Sequence, residues 1–434
     1  MKKSNIYLLL FIICSFVSVS VNAQETEKTD TVMRVLEQLQ SDVAFLKNLK
    51  VSGYVQAQAQ FADTLGAKTD MAAGNFPTGS DKRYLIRRGR LKFLYSASPL
   101  SSAAMQIDIS ESGVKTKEIW AKFTDPFVNW FSLTAGLQNR PFGFEVEYSS
   151  GNLESPERAR MNQSLFKDEY DLGAMLTIQA PKTSPYNFLK LDLGLFTGSI
   201  ENTSGMDYKK VKDFIGRLNF AKSYLDEKLK VSGDLSYYNG GVPNNTTSIY
   251  KVQTASGNPV FTAKTVNKYD NILREYWGAD VQVSYAGELG LSTFRAEYTK
   301  GQQASAAGDI KNPTALLVNS ATPAVAQPLY VRQVEGFYLM YVQNILQSRH
   351  SIVVKYDMFD PNTKVSGNQI SSANGFTASD IKFNTWGLGY TCRIDANTKL
   401  VIYRDFIKNE STKISGYTQD VKDNVWTIRL QYKF

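Results

Sequence analysis

The 434-residue chain carries 49 Lys and Arg against 41 Asp and Glu, a formal charge of +8, with one His and two Cys. The basic excess is spread along the whole length, which argues against a nucleic-acid binder, and His350 alone furnishes neither a His–Cys metal centre nor Ser–His–acid machinery. With 24 Tyr, 24 Phe and 29 Gly but only 13 Pro, the composition is that of a β protein.

Residues 1–23 hold Lys2, Lys3, an apolar run from Ile6 to Val17, then Val21 and Ala23, which predicts a secretory signal peptide cut after Ala23. Its loss removes two lysines and Cys14, leaving a charge of +6 and Cys392 alone, so no intrachain disulfide is expected. The run is too short to span a bilayer, and no later stretch reaches the roughly 18 apolar residues a membrane helix needs. In 24–50, Val32, Leu36, Leu39, Val43 and Leu46 step by 4, 3, 4 and 3. That spacing predicts a short amphipathic or coiled-coil helix in a periplasmic N-terminal segment.

From residue 51 the period becomes two. In VSGYVQAQAQF (51–61), Val51, Val55, Ala57, Ala59 and Phe61 share one face while Ser52, Tyr54, Gln56, Gln58 and Gln60 share the other. A soluble sandwich would bury Leu, Ile and Phe, not glutamines against alanines. Fifteen further strands are predicted at 83–95, 102–110, 117–123, 131–140, 170–178, 188–197, 214–220, 228–238, 274–285, 291–298, 329–341, 350–359, 383–391, 399–406 and 424–434. The links alternate between turns such as 96–101, 125–130, 221–227, 286–290 and 394–398 and long polar segments at 62–82, 141–169, 239–273, 299–328, 360–382 and 407–423. An even strand number with short and long rims predicts an all-β fold, a 16-stranded antiparallel transmembrane β-barrel over 51–434 in the bacterial outer membrane. Closure satisfies every backbone group against lipid. Tyr95, Tyr285, Trp386, Tyr390 and Tyr432 fall near strand ends, where an interfacial belt would hold them.

The segment RYLIRRGRLKFLY (83–95) places Leu85, Gly89, Leu91, Phe93 and Tyr95 on one side and Arg88, Arg90 and Lys92 on the other. A cation at the bilayer midplane costs roughly 2–4 kcal/mol, so these three are predicted to face the lumen, with Arg83 and Arg87 nearer the loop end. The same parity sends Lys122, Arg140, Lys190, Arg217, Lys230, Arg295, Lys355, Arg429 and Lys433 inward, together with Asp108, Glu118, Asp192, Asp234, Asp280, Glu297 and Asp357. Rows of cations on a wet wall favour anions, and the acids dilute that preference.

Three features converge on a resemblance: Ile86, Arg87, Arg88, Arg90 and Leu91 in an I-R-R-x-R-L segment; Gly136, Pro141, Phe142, Gly143 and Glu145 in G-x-x-x-x-P-F-G-x-E; and a final alternating strand ending in Tyr432 and Phe434. Together the chain resembles the phosphate-selective porin O and P family in the broad sense that includes Bacteroidetes-type porins. The resemblance implies a homotrimeric channel whose third extracellular loop, here 141–169, folds into the lumen as a constriction. It further implies that Phe434 and Tyr432 act as a signal to the barrel-assembly machinery. The loop carries Pro141, Phe142, Gly143, Glu145, Arg158, Arg160 and Lys167, with Glu147, Glu154, Glu157 and Asp168 outnumbering its bases, whereas a strongly phosphate-selective constriction should be poor in acids. The expected function is a passive channel for small anions, phosphate or polyphosphate among them. Alternatives are a general pore for small hydrophilic solutes and a non-conducting scaffold or adhesin. No enzyme activity, cofactor or metal is expected.

Overall fold

The computed structural model describes residues 33–36, 38, 43, 46–167, 169–198, 211–313 and 316–434. The predicted signal peptide lies outside the described residues. Of the heptad positions, Leu36, Val43 and Leu46 are described, helical and exposed.

A strand with lipid on one face can satisfy its backbone only by pairing along both edges, and the alternating sequence produces that arrangement. The strands are β1 (Leu49–Ala62), β2 (Lys82–Ser98), β3 (Ser101–Ser110), β4 (Gly113–Thr124), β5 (Phe131–Asn139), β6 (Tyr170–Gln179), β7 (Leu189–Phe196), β8 (Asp213–Tyr224) and β9 (Leu229–Pro243). They continue as β10 (Ser248–Ala255), β11 (Asn258–Thr265), β12 (Asn271–Gly287), β13 (Gly290–Ser305), β14 (Tyr330–Asn344), β15 (His350–Asp360), β16 (Phe383–Arg393), β17 (Thr398–Asn409) and β18 (Val425–Lys433). Sixteen of them form a closed antiparallel barrel in which each strand pairs with its neighbour in sequence, with β9 joined directly to β12 and β18 to β1. The remaining two, β10 and β11, form a hairpin inside the long link 239–273. This hairpin attaches to the start of β14 through two parallel pairs, Tyr250 with Tyr330 and Lys251 with Val331.

The outward face is apolar all round: Val55, Phe93, Met105, Leu133, Leu176, Leu218, Phe294, Leu339, Ile352, Leu388 and Ile428 all stand exposed on it. Tyr285, Trp386, Tyr390 and Tyr432 are exposed on the same surface, as a belt requires. Tyr54, Gln56, Gln58 and Gln60 of β1 are buried inside. Among the long-rim links, that between β3 and β4 is the exception, reduced to Glu111 and Ser112.

The main apolar cluster lies inside the barrel. Phe142, Val146, Met161, Leu165 and Phe166 of the loop 141–169 pack there against wall residues including Phe196, Ile215, Tyr238, Tyr276, Tyr338 and Phe359. Smaller clusters hold the extracellular segments together, one around Phe376 and Ile381 and one around Phe76 and Val425.

The ring closes at Gly53 and Phe434. Gly53 N donates to Phe434 O at 2.9 Å and Phe434 N to Gly53 O at 3.0 Å. A Cβ on Gly53 would lie 2.3 Å from Arg90 O and 2.7 Å from the Phe434 ring, so only glycine fits this seam. Gly53→Val or removal of Phe434 is expected to cost about 2 kcal/mol, two backbone hydrogen bonds at about 1 kcal/mol each. The folded, fast-migrating band on unheated gels should then convert to the unfolded form several degrees earlier than in the parent.

Candidate functional site

The loop 141–169 turns into the lumen because its first residues have nowhere better to go. Arg140 is buried beside Asp171 at 3.4 Å. Phe142 is fully buried, its ring 4.8 Å from Phe166 and edge-on to Tyr238 and Tyr276. Gly143 adopts φ 60°, and a Cβ there would sit 2.3 Å from a Glu297 carboxylate oxygen, so the turn demands glycine on both counts. Its N–H donates to Ser236 Oγ at 3.0 Å.

Glu145 then organises a one-and-a-half-turn helix, α1 (Arg160–Leu165). Its carboxylate accepts from Ala159 N at 2.6 Å, Asn162 Nδ2 at 3.0 Å and Lys355 Nζ at 2.9 Å. Arg160 N donates to Asp357 at 2.6 Å. The helix has no side-chain cap of its own, and two carboxylates from elsewhere satisfy its first N–H groups.

Between these anchors the tip of the loop, residues 149–157, crosses the lumen. On the β18 and β1 side, Gln56 Nε2 donates to Ser150 O at 3.1 Å, Gln431 Nε2 to Gly151 O at 2.8 Å, and Lys433 Nζ to Asn152 Oδ1 at 2.9 Å. Lys399 of β17 donates to Leu153 O at 2.9 Å. Five strands round the barrel from β18, Arg295 of β13 grips Glu154 at 2.6 and 3.0 Å.

Glu157 ends the tip on three arginines. Arg87 binds both its oxygens at 2.8 Å, Arg88 adds a contact at 2.8 Å and Arg429 one at 2.9 Å. Burial alone would raise the Glu157 carboxyl, but Arg87, Arg88 and Arg429 together hold it well below the usual carboxylate range. Arg158 closes the base of the tip by donating to Glu145 O at 2.7 Å and Tyr148 O at 2.8 Å while pairing with Glu169.

Two arginines from adjacent positions reach one carboxylate because β2 bulges. Gln56 faces Arg88 and Ala57 faces Ile86, leaving Arg87 as the extra residue. This corrects the strict alternation expected for 83–95: Leu85, opposite Gln58, lies on the lumen side, and Arg87 reaches the lumen instead of the loop end. β4 repeats the device, with Lys117 inserted between partners of Gln106 and Ile107 and its ammonium 5.7 Å from the Tyr170 ring.

Several of the cations expected to face the lumen are answered by acids. Arg90 meets Asp108 at 3.3 Å and Tyr170 OH at 3.1 Å, Lys92 meets Glu118 at 2.6 Å, and Lys190 meets Asp192 at 2.8 Å. Arg217 pairs with Glu147 of the loop and with Asp234 at 3.1 Å. Lys122 lies near the turn 96–101 and makes no ion pair with a described residue. Arg160 lies over the Phe383 ring at 4.0 Å with a buried Nε that has no partner, and Lys167 is exposed. His350 sits at the short-turn rim, Nδ1 2.5 Å from Tyr390 OH.

Asp234, Asp280 and Glu297 stand directly opposite one another on β9, β12 and β13, a row of like charges eased where Arg217 reaches Asp234, while Arg87, Arg88 and Arg429 gather around Glu157 on β2 and β18.

Above the loop other extracellular segments close in. Gln163 Nε2 donates to Met71 O at 2.8 Å, Asn312 N to Ser164 O at 3.2 Å, and Lys311 pairs with Asp70. A cavity of about 40 Å³, room for a water or two, remains between them; Ala72, Glu157, Arg160, Lys355, Asp357 and Asp405 are among its lining. Neither the inward fold of 62–81 nor the choice of Asp380 as the partner of buried Arg332, at 2.8 Å, carried a sequence signal, because 62–81 and 360–382 lack periodicity.

The chain matches no family model and no curated protein by sequence. Among solved structures it is similar to OprB of Pseudomonas putida, with 11% identity over 89% of this chain and 94% of that one and a TM-score of 0.55. It is also similar to the outer membrane channel DcaP of Acinetobacter baumannii, with 13% identity over 89% and 97% and a TM-score of 0.50. At these identities the likeness is one of fold. The protein is an integral outer-membrane β-barrel with the fold of the porins.

Proposed function

We propose that the protein is a narrow passive channel for small hydrophilic solutes with a mild preference for anions. The observation that supports this reading best is the loop 141–169, which crosses the lumen of a closed, lipid-facing barrel and is held there by ion pairs at both walls. The loop carboxylates neutralise much of the arginine wall, which argues for weak selectivity over the phosphate specificity the resemblance implies. Homotrimeric assembly, a cleaved signal peptide and handover to the assembly machinery through Phe434 and Tyr432 belong to the same proposal, as does the absence of any catalysed reaction.

The test is planar-bilayer recording of the purified protein in asymmetric KCl. Discrete current steps with a reversal potential displaced modestly toward that of chloride are expected. A preference for potassium would remove the anion reading and leave the channel. The layered loops above the lumen favour a second reading, a closed surface scaffold, and a complete lack of steps would select it.

A further inference from the structure

The lipid-facing wall is not smooth at the short-turn rim. Near the ends of β5, β6, β7 and β8 it holds a groove of about 400 Å³, within the size range of ligand sites, bordered by Trp130, Ile178, Tyr186, Leu189, Leu191 and Leu218. The register sets its floor: Phe131 stands opposite Ile178 and Leu191 opposite Leu218, all on the outward parity of their strands. One edge is the turn 180–188, which carries Tyr186. That turn is pinned, with Gln179 N donating to Trp130 O at 2.9 Å, Gln179 Nε2 to Asn187 O at 3.0 Å, Asn187 Nδ2 to Ala180 O at 2.6 Å and Leu189 N to Tyr186 O at 3.1 Å. The groove is therefore formed before anything enters it.

A cation stands at its rim end. Lys222 is exposed on the outward face of β8, four residues beyond Leu218 on the same face and about 13 Å further along the strand. Its ammonium lies 5.3 Å from the Phe188 ring and 5.5 Å from the Tyr224 ring, and it pairs with no carboxylate among the described residues. A lysine at the foot of a membrane strand projects to headgroup level, where anionic headgroups attract it. An apolar trough leading inward from a fixed cation has the polarity of a glycerophospholipid. A second copy laid here by its own apolar outer face would cover Lys222 without answering its charge, which favours lipid as the occupant.

We propose that this groove seats one glycerophospholipid of the periplasmic leaflet, with an acyl chain along Ile178, Leu191 and Leu218 and the phosphate on Lys222. The inference rests on the barrel alone and holds whether or not the barrel conducts.

Native mass spectrometry of the purified, delipidated full-length protein, titrated with dioleoyl phosphatidylglycerol, tests it. One lipid per chain is expected, and dioleoylglycerol, which has the same chains and no phosphate, should bind about tenfold more weakly. Lys222→Glu should weaken phosphatidylglycerol binding about tenfold, and Leu218→Trp, which fills the groove and spares the cation, by a similar factor. Lys408→Glu, at the far end of the wall on β17, should bind like the parent. Should Lys222→Glu lack the heat-modifiable folded band, Lys222→Gln, which removes the charge without reversing it, is expected to weaken binding about fivefold. Affinity within about twofold of the parent in the folded variants would leave only unselective boundary lipid and overturn the proposal. So would a Leu218→Trp protein that binds lipid unchanged yet falls from a larger assembly to single chains, since the groove would then belong to a contact between copies.

Discussion

Replacing residues 149–157 with two glycines is expected to raise single-channel conductance several-fold and to turn a mild anion preference into a strong one. The deleted tip is the part of the loop that bridges Lys433 and Gln431 on β18 to Arg295 on β13. Its removal therefore widens the bore where it is obstructed. It also withdraws Glu154 and Glu157, leaving Arg87, Arg88, Arg295 and Arg429 facing water without carboxylates. The ends can be rejoined because Arg158 already ties Tyr148 O and Glu145 O together. Bilayer conductance and reversal potential measure both effects, and unchanged conductance would show that solutes pass elsewhere or not at all.

Asp380→Ala is expected to destabilise the extracellular loops by roughly 3–5 kcal/mol, the cost of stranding a buried charge. Arg332 and Asp380 are both fully buried in their side chains. Asp380 also receives Asn362 Nδ2 at 2.8 Å and Thr377 N at 2.9 Å, while Arg332 reaches Ser305, Ala306 O and Ala307 O. One substitution thus releases the segment 360–382 from β14 and from the segment after β13. Limited proteolysis should cut within 360–382 at protease levels that spare the parent. Replacing both partners with apolar residues, as in Arg332→Met with Asp380→Leu, should recover much of the loss. A single variant as resistant as the parent would mean that the clusters around Phe376 hold the loops unaided.

The barrel was readable in the sequence because lipid on one side enforces a period of two. The sixteen wall strands lie where the alternation puts them, and β18, with Trp426, Ile428, Leu430 and Tyr432 outward, is the plainest case. Asp234, Glu297, Arg295 and Arg429, on the polar parity of their strands, are buried. Parity failed at Arg87, since a bulge adds one residue and inverts the facing of everything before it; the doublet Arg87–Arg88 next to Gly89 was the sole hint. The hairpin β10–β11 was hidden in a link read as loop, and its strands face other loops, not lipid. The loop carboxylates that meet Lys355, Arg295 and the Arg87–Arg88–Arg429 group were illegible for a related reason: Glu145, Glu154 and Glu157 lie in a segment whose path is set by the barrel it enters.

The greasy underside of the inserted loop decides which part of it can swing. Phe142, Met161 and Phe166 are pressed into Tyr238, Tyr276 and Phe359, and peeling them away would wet large apolar surfaces on both partners. The stretch from Ser149 to Glu157 adheres through charges and amides, which water or a passing solute can replace one for one. Any valve in this cylinder is therefore a small flap on a fixed pedestal.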